Sequence, residues 1–281
     1  MEIKQSKIML TGATGGIGHS IAQQLANEGA QLILVGRSQA KLRSLLATLA
    51  NPEQHQIVVA DITTVQGLRQ INHFAMQSPR INALINNAGC NQFKLLSQKT
   101  DAELEQEIQV NLLAPIQLCQ SALSWLTQPG VMLNIGSTFG SIGYPGYSVY
   151  CAAKAGLHRF SEALDRELEG SGLRVLYLAP RATDTELNNA AVKQMNQQLG
   201  NKIDTPDVVA NHVVAMLKQE TSAKWIGWPE KLFARINQIL PSVVASAIHK
   251  QQATLQHFLH PSVKPSVQPS VQPLSQPIDH K

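Results

Sequence analysis

A tyrosine and a lysine near the middle of the chain have the spacing needed for acid–base chemistry. Tyr150 and Lys154 are four residues apart in the run Tyr-Cys-Ala-Ala-Lys, a spacing that puts both side chains on one face of a helix. A free tyrosine titrates near pH ~10. A neighbouring cation favours the phenolate and lowers the pKa toward neutrality, where general acid–base catalysis is most efficient. Because such a pair also occurs by chance, its meaning depends on the elements around it.

Short apolar runs alternate with helical patterns, and this alternation predicts an α/β fold. Helices are predicted over 16–28, 39–50, 65–77, 101–126, 149–169 and 206–218. Strands are predicted over 7–10, 31–35, 56–60, 83–86, 131–135 and 174–178, with a seventh over 224–228. Near-continuous apolar strands between helices are typical of a parallel sheet buried on both faces. The crossover rule then favours a Rossmann-like, doubly wound sheet of about seven strands with helices on both faces.

A glycine-rich turn, Thr-Gly-Ala-Thr-Gly-Gly-Ile-Gly at 11–18, joins the first strand to the first helix. In a Rossmann fold this turn holds a pyrophosphate against free N–H groups at the helix N-terminus. The alternative is an ordinary strand–helix turn, but its place in the first βα unit favours a dinucleotide. The residues predicted to bind it here are Gly12, Thr14, Gly16, Ile17 and Gly18.

The end of the second strand indicates which dinucleotide is used. Binding of NAD(H) usually relies on an acidic residue about 20 residues after the glycines, and this chain has Arg37 and Ser38 there instead. A guanidinium suits a 2′-phosphate, so NADP(H) is favoured over NAD(H). Asp61 follows the third strand and is a candidate for the adenine edge, although aspartate also caps helices. Asn87, Ala88 and Gly89 follow the fourth strand, where the ligand crevice opens.

Four features agree in order and spacing: the glycine-rich turn, Asn-Asn-Ala-Gly at 86–89, Ser137 after the fifth strand, and Tyr150 with Lys154. Together they resemble the short-chain dehydrogenase/reductase family over residues 7–228. The resemblance implies that Tyr150 is the general acid or base and that Ser137 holds the substrate oxygen. It also implies that Lys154 lowers the pKa of the phenol and binds the nicotinamide ribose, and that Asn111 supports a water leading to the lysine.

The resemblance also extends to the end of the sixth strand, with one departure. Pro180, Thr183 and Thr185 match the family's cofactor-contacting positions, but Arg181 stands where the family usually has glycine. The glycine's backbone freedom is lost, and a charge is added near the nicotinamide end. The stretch 184–202 is expected to cover the substrate.

Beyond the seventh strand, apolar residues recur at three- and four-residue spacing, and Pro241 is expected to divide this stripe into two helices. The stripe is interpreted first as a cover for the substrate pocket; an oligomer contact and a membrane-surface helix are the alternatives. Its basic residues, Lys231, Arg235 and Lys250, are too few to make the membrane case. We divide the chain into a catalytic domain at 1–228, a helical extension at 229–259 and a disordered proline-rich tail at 260–281.

The sequence therefore predicts an NADP(H)-dependent oxidoreductase that interconverts an apolar ketone or aldehyde and the corresponding alcohol. The alternative is a nucleotide-sensing binding protein of the same fold without turnover. The net charge is +4, the Lys and Arg residues are scattered along the chain, and only 5% of residues are aromatic. No nucleic-acid partner is therefore expected. Three cysteines without metal-ligand spacing predict no metal site and a reduced, cytoplasmic setting. No transmembrane segment is expected, peripheral membrane contact stays open, and the resemblance implies a homodimer or homotetramer.

Overall fold

A computed structural model describes residues 1–78 and 80–260 of the chain. Seven strands form one sheet in the order β3-β2-β1-β4-β5-β6-β7, and every neighbouring pair is parallel. The strands are β1 Lys7–Thr11, β2 Gln31–Gly36, β3 Gln56–Val59, β4 Ile81–Asn86, β5 Leu126–Ile135, β6 Leu173–Ala179 and β7 Ala223–Trp225. The predicted Rossmann-like, doubly wound fold is confirmed.

Eleven α-helices lie in the described part of the chain. They are α1 Gly16–Asn27, α2 Gln39–Thr48, α3 Val65–Gln77, α4 Asp101–Ile108, α5 Ala114–Ala122, α6 Ser148–Glu167, α7 Ala190–Gln198, α8 Pro206–Gln219, α9 Trp228–Ile239, α10 Pro241–His249 and α11 Gln252–Leu259. None of the helices within 1–78 and 80–260 is both long and apolar enough to cross a bilayer.

The core has two apolar layers because side chains alternate across the sheet. Ile8 and Leu10 of β1 face the layer formed with α1, α2 and α8. Met9, between them, faces the opposite layer, which α3, α5 and α6 complete. A strand buried on both faces has to be apolar at successive positions, which explains the continuous apolar runs in the sequence.

The place in this sheet where a ligand is expected to bind lies between the ends of β1 and β4. The chain crosses from β3 at one edge to β4 on the other side of β1, so the loops after β1 and β4 diverge and leave a crevice at the strands' carboxyl ends. The hydroxyl of Thr11 links these two ends: it donates to the carbonyl oxygen of Ile85 and accepts from the backbone N–H of Asn87 (3.1 Å).

Three predicted elements differ clearly from the structure, and one is β5, which begins at Leu126 and not at residue 131. The single helix expected over 101–126 is interrupted by a π-helical turn, Gln109–Leu113, and ends at Ala122. Pro115 has no N–H to give to the carbonyl oxygen of Asn111, and the helix accommodates the loss with one wider turn. The strand expected over 224–228 ends at Trp225, and Trp228 already begins α9.

The extension contains three helices rather than the two expected. Pro241 does begin a new helix, but a further break separates α10 from α11. Leu255 and Leu259 of α11 pack on Val192 and Met195 of α7, and all four are buried. The extension therefore packs against the segment that follows β6. Residues 261–281 of the predicted tail lie outside the part of the chain that the structure describes.

Candidate active site

One large cavity opens at the carboxyl ends of the strands. Its volume is about 1100 Å³, slightly above the ~300–1,000 Å³ typical of small-molecule sites. At one end it is lined by the loops after β1, β2 and β3, and at the other by α7, α9 and α10. The space is therefore sufficient for a dinucleotide and a second molecule together.

The glycine-rich turn presents backbone instead of side chains to the cavity. Gly12 has a positive φ of 63°, and a Cβ added there would lie 2.7 Å from Cα of Ala88. A Cβ on Gly18 would lie 2.1 Å from the carbonyl oxygen of Gly12. Helix α1 begins after Gly15 without a side-chain cap, so its first N–H groups are available to an anion. This cradle fits a pyrophosphate.

The loops after β1, β4 and β6 close around this turn. The side-chain amide of Asn87 donates to the carbonyl oxygens of Thr11 and Gly12 at 3.1 Å each. The buried methyl group of Thr185 faces Gly16. Thr14, Ile17, Ala88, Gly89, Pro180 and Thr183, predicted as cofactor contacts, also line the cavity.

Two cations lie at the other end of the predicted dinucleotide site. Arg37 and Lys41 both line the cavity; Arg37 was predicted and Lys41 was missed. The Ser38 hydroxyl accepts the backbone N–H of Lys41 (3.3 Å) and so caps α2, and Ser38 itself is absent from the cavity lining. For Asp61, burial opposes ionisation, but hydrogen bonds from Thr63 and the charge of Arg37 hold the pKa of this carboxyl below its usual value.

Ser137, Tyr150 and Lys154 come together at the middle of the cavity. Ser137 follows β5, whereas Tyr150 and Lys154 stand one turn apart on α6, with the Lys154 Nζ 5.7 Å from the centre of the tyrosine ring. Burial raises the pKa of Tyr150, and a hydrogen bond with the Ser137 hydroxyl partly offsets this effect. The phenol is therefore protonated at neutral pH in this state and can donate a proton.

The ammonium group of Lys154 is buried, with 4% of the residue exposed. Its Nζ donates to the carbonyl oxygen of Ile135 at 2.9 Å, and a Cβ on Gly89 would lie 3.9 Å from it. Burial lowers the pKa of Lys154 from 10.5 to about 8, because the charged form is poorly solvated. An exposed lysine donates its hydrogen bonds to water; the hydroxyl groups of a ligand in the cavity would accept those of Lys154.

Asn111 is fully buried in the π-helical turn behind the lysine. Its amide nitrogen donates to the carbonyl oxygens of Cys90 (2.7 Å) and Glu107 (2.9 Å), and its Oδ1 accepts from the N–H of Cys90 (3.3 Å). The side chain thus fixes the loop after β4.

Comparison with known proteins identifies the family. The family model described as short chain dehydrogenase matches residues 6–196, more than half of the chain. The chain belongs to the short-chain dehydrogenase family. It is therefore an oxidoreductase that acts on CH–OH groups with a nicotinamide cofactor.

Individual relatives agree with this assignment. An uncharacterized oxidoreductase of Staphylococcus epidermidis is 31% identical over 196 residues, covering 66% of this chain and 81% of the relative. A 3-oxoacyl-acyl-carrier-protein reductase of Haemophilus influenzae is 34% identical over 187 residues, 65% of this chain and 76% of the relative. A short-chain dehydrogenase from Sphingobium yanoikuyae, solved in complex with NADPH, is 26% identical with a TM-score of 0.71, covering 85% of this chain and 95% of that one.

This short-chain dehydrogenase uses Arg181 to join three segments. The guanidinium donates two parallel hydrogen bonds to Asp204, at 2.7 and 2.8 Å. It donates a third to Glu230 of α9, at 3.2 Å. The charge expected near the nicotinamide end is therefore paired, and its side chain is only 9% exposed. Arg181 connects the end of β6 to the segment before α8 and to the C-terminal extension.

The sequence analysis missed several residues that support the site. Tyr177 of β6 lies behind Ser137, with its hydroxyl 3.4 Å from both the backbone nitrogen and the backbone oxygen of that serine. Lys99 and Glu107 form a buried ion pair at 2.5 Å, next to the Cys90 loop. A tyrosine in an apolar strand and a lysine in a loop carry no local pattern that could have revealed them.

The buried lysine gives the dehydrogenase a characteristic pH dependence of stability. Because the folded pKa of Lys154 is depressed, the native state binds fewer protons than the unfolded state between pH about 8 and 10.5, and stability rises with pH in that window. Lys154→Met should remove up to about 3 kcal/mol of this rise. Urea unfolding of the cofactor-free protein at pH about 8 and about 10 measures it. The same substitution at exposed Lys250 is the control, and an unchanged slope in Lys154→Met would contradict the burial argument.

Removing the guanidinium of Arg181 should destabilise the protein. In Arg181→Met the carboxylate of Asp204 remains buried without its partner, a change that costs about 3–5 kcal/mol. Urea unfolding measures the loss. The double variant Arg181→Met/Asp204→Asn removes both charges and should recover most of it. Equal stability of wild type and Arg181→Met would show that this network does not hold the segments together.

Proposed function

We propose that this chain is an NADP(H)-dependent oxidoreductase that interconverts an apolar ketone or aldehyde and its alcohol, with Tyr150 as general acid and base. The observation that carries the proposal is the convergence of Ser137, Tyr150 and Lys154 on a cavity that also contains a phosphate cradle. The NADPH complex of the Sphingobium relative supports the choice of cofactor.

The cofactor would be held at the end of the cavity that the loops after β1, β2 and β3 line. The backbone of the glycine-rich turn would hold the diphosphate, and Arg37 with Lys41 would hold the 2′-phosphate. Asp61 would meet the adenine, and Lys154 the nicotinamide ribose. Once bound, the nicotinamide supplies or accepts the hydride.

The protein's own contribution is proton transfer and charge stabilisation. In the reductive direction the Ser137 hydroxyl holds the substrate oxygen, and Tyr150 donates its proton to that oxygen as negative charge develops. The Lys154 ammonium then stabilises the resulting phenolate, which offsets the effect of burial. The backbone carbonyl of Asn111 supports the water that returns a proton to this site.

The apolar half of the cavity supports an apolar substrate. Phe139 stacks on Tyr144 with ring centres 5.0 Å apart and contacts Tyr147. Val192, Met195, Phe233, Val244 and Ile248 complete this half. Aliphatic and aromatic walls favour a substrate whose carbonyl group is attached to a substantial hydrocarbon part.

We also propose a cytoplasmic enzyme that forms a homodimer or homotetramer through α4–α6. Leu113 and Leu123, on the helical segment before β5, are both about 40% exposed or more. Such apolar positions on a helix surface suit a contact between subunits.

Replacing the phenol should stop turnover without releasing the cofactor. Tyr150→Phe should lower kcat with NADPH and a panel of ketones by about 10²–10⁴-fold, whereas the NADPH Kd from fluorescence should change little. Tyr144→Phe is the matched control, because its hydroxyl binds Gln251 (3.2 Å) at the substrate end. Activity that survives in Tyr150→Phe would refute the mechanism. Tight NADPH binding by wild type without any turnover would favour the nucleotide-sensing alternative.

Cofactor choice should depend on Arg37. Arg37→Ala should raise the Kd for NADPH by about tenfold or more, since one charge-assisted phosphate contact is lost, and should leave the Kd for NADH unchanged. Arg43→Ala, an exposed change on α2, the helix that follows Arg37, is the control. A wild-type enzyme that prefers NADH would overturn the assignment of the 2′-phosphate to Arg37 and Lys41.

A further inference from the structure

Helix α9 packs on the protein through two polar residues and one alanine. Glu230, Ala234 and Asn237 share one face by their spacing of four and three residues. Glu230 binds Arg181, Ala234 is buried, and the Asn237 amide donates to the carbonyl oxygen of Ser141 (2.9 Å). These contacts fix which side of α9 faces the core.

The opposite side of α9 is strongly apolar and exposed. Trp228, Leu232 and Ile239, spaced four and seven residues apart, lie about 180° from the inner face, and they are 72%, 45% and 77% exposed. Leu240 and Val243, at the turn into α10, continue the surface with 55% and 50% exposure. We call these five residues the outer apolar face. A contiguous surface of this kind marks an interaction site.

The charge around the outer apolar face is positive. Lys231 and Arg235 lie on its flank, and Lys250 follows α10. Lys231 and Arg235 share a cleft with the carboxylates of Glu162 and Asp165. Those two carboxylates already form ion pairs with arginines, namely Arg159, Arg166 and Arg174. Glu230 is the single acidic residue in the sequence between 228 and 260, and its carboxylate already binds Arg181. A second copy related by a two-fold axis would bring this positive surface toward itself. An apolar face with basic flanks is instead complementary to anionic lipid.

The outer apolar face is continuous with the mouth of the cavity. Trp228 belongs to both, since it also lines the cavity together with Phe233 on the adjacent side of α9. From this arrangement we infer that α9 and the turn into α10 dock on an anionic membrane surface and place the cavity mouth at the lipid. Resting on the proposed function, the substrate class is then a carbonyl compound or alcohol dissolved in the bilayer.

Vesicle binding tests the docking directly and requires no turnover. The full chain should float with vesicles of phosphatidylcholine and phosphatidylserine, and more weakly with phosphatidylcholine alone. The triple variant Leu232→Ser/Ile239→Ser/Val243→Ser should bind both kinds of vesicle at least about tenfold more weakly, because it buries less apolar surface in the membrane. Lys231→Gln/Arg235→Gln should reduce binding to the anionic vesicles by about fivefold for each charge removed.

The control is Val65→Ser/Met76→Ser on α3, where two other exposed apolar residues lie; its vesicle binding should equal that of wild type. An unchanged thermal unfolding midpoint verifies that the triple variant is folded. Equal binding by wild type and the triple variant, or no binding to either vesicle, would overturn the inference. A smaller oligomer for the triple variant than for wild type in light scattering would also overturn the inference, because a second copy of the chain would then cover the outer apolar face.

Turnover separates this inference from the proposed function. With a water-soluble ketone the triple variant should match wild type, whereas with a long-chain ketone carried in anionic vesicles it should be slower. Vesicle binding without turnover of any ketone would refute the proposed function and leave the docking intact. Turnover of the vesicle-borne ketone at equal rates by both proteins would refute the docking alone.

Discussion

The burial of the Lys154 ammonium group is the constraint on which the active-site end of the molecule depends. A charged amine that is almost fully removed from water needs acceptors at fixed positions. β5 provides one at Ile135, and α6 holds the amine beside the phenol of Tyr150. The π-helical turn and the Cys90 loop fix the surroundings through Asn111. Lys154 also lines the cavity, so its ammonium is within reach of a polar ligand bound there.

Much of this site could be predicted from the sequence because its parts are local. The glycine-rich turn, Tyr150 with Lys154, and the apolar strands are patterns within a few residues. The first follows from the backbone freedom of glycine, and the other two follow from helix and strand periodicity. The doubly wound topology follows from the alternation of strands and helices together with the right-handed crossover rule. Residues such as Ser137 and Asn111 needed the resemblance, since a serine after a strand or an asparagine in a helix has no distinctive spacing of its own.

The rest depends on contacts that join distant parts of the chain. Tyr177 supports Ser137 from 40 residues away, and the Lys99–Glu107 pair is recognisable only once both side chains are seen to be buried. The period of α9 was visible in the sequence, but the side that faces inward was not. An apolar stripe ordinarily packs on the core. In α9 the ion pair of Glu230 with Arg181 and the burial of Ala234 turn the opposite side of the helix inward.

The Arg181 network also has a mechanical consequence. One guanidinium holds Asp204, which follows α7, and Glu230, which opens α9, while α11 packs on α7. One side chain therefore holds the segment after α7 and the start of α9, and α11 ties the far end of the same extension back to α7. Loss of this guanidinium would loosen both walls of the apolar half of the cavity together.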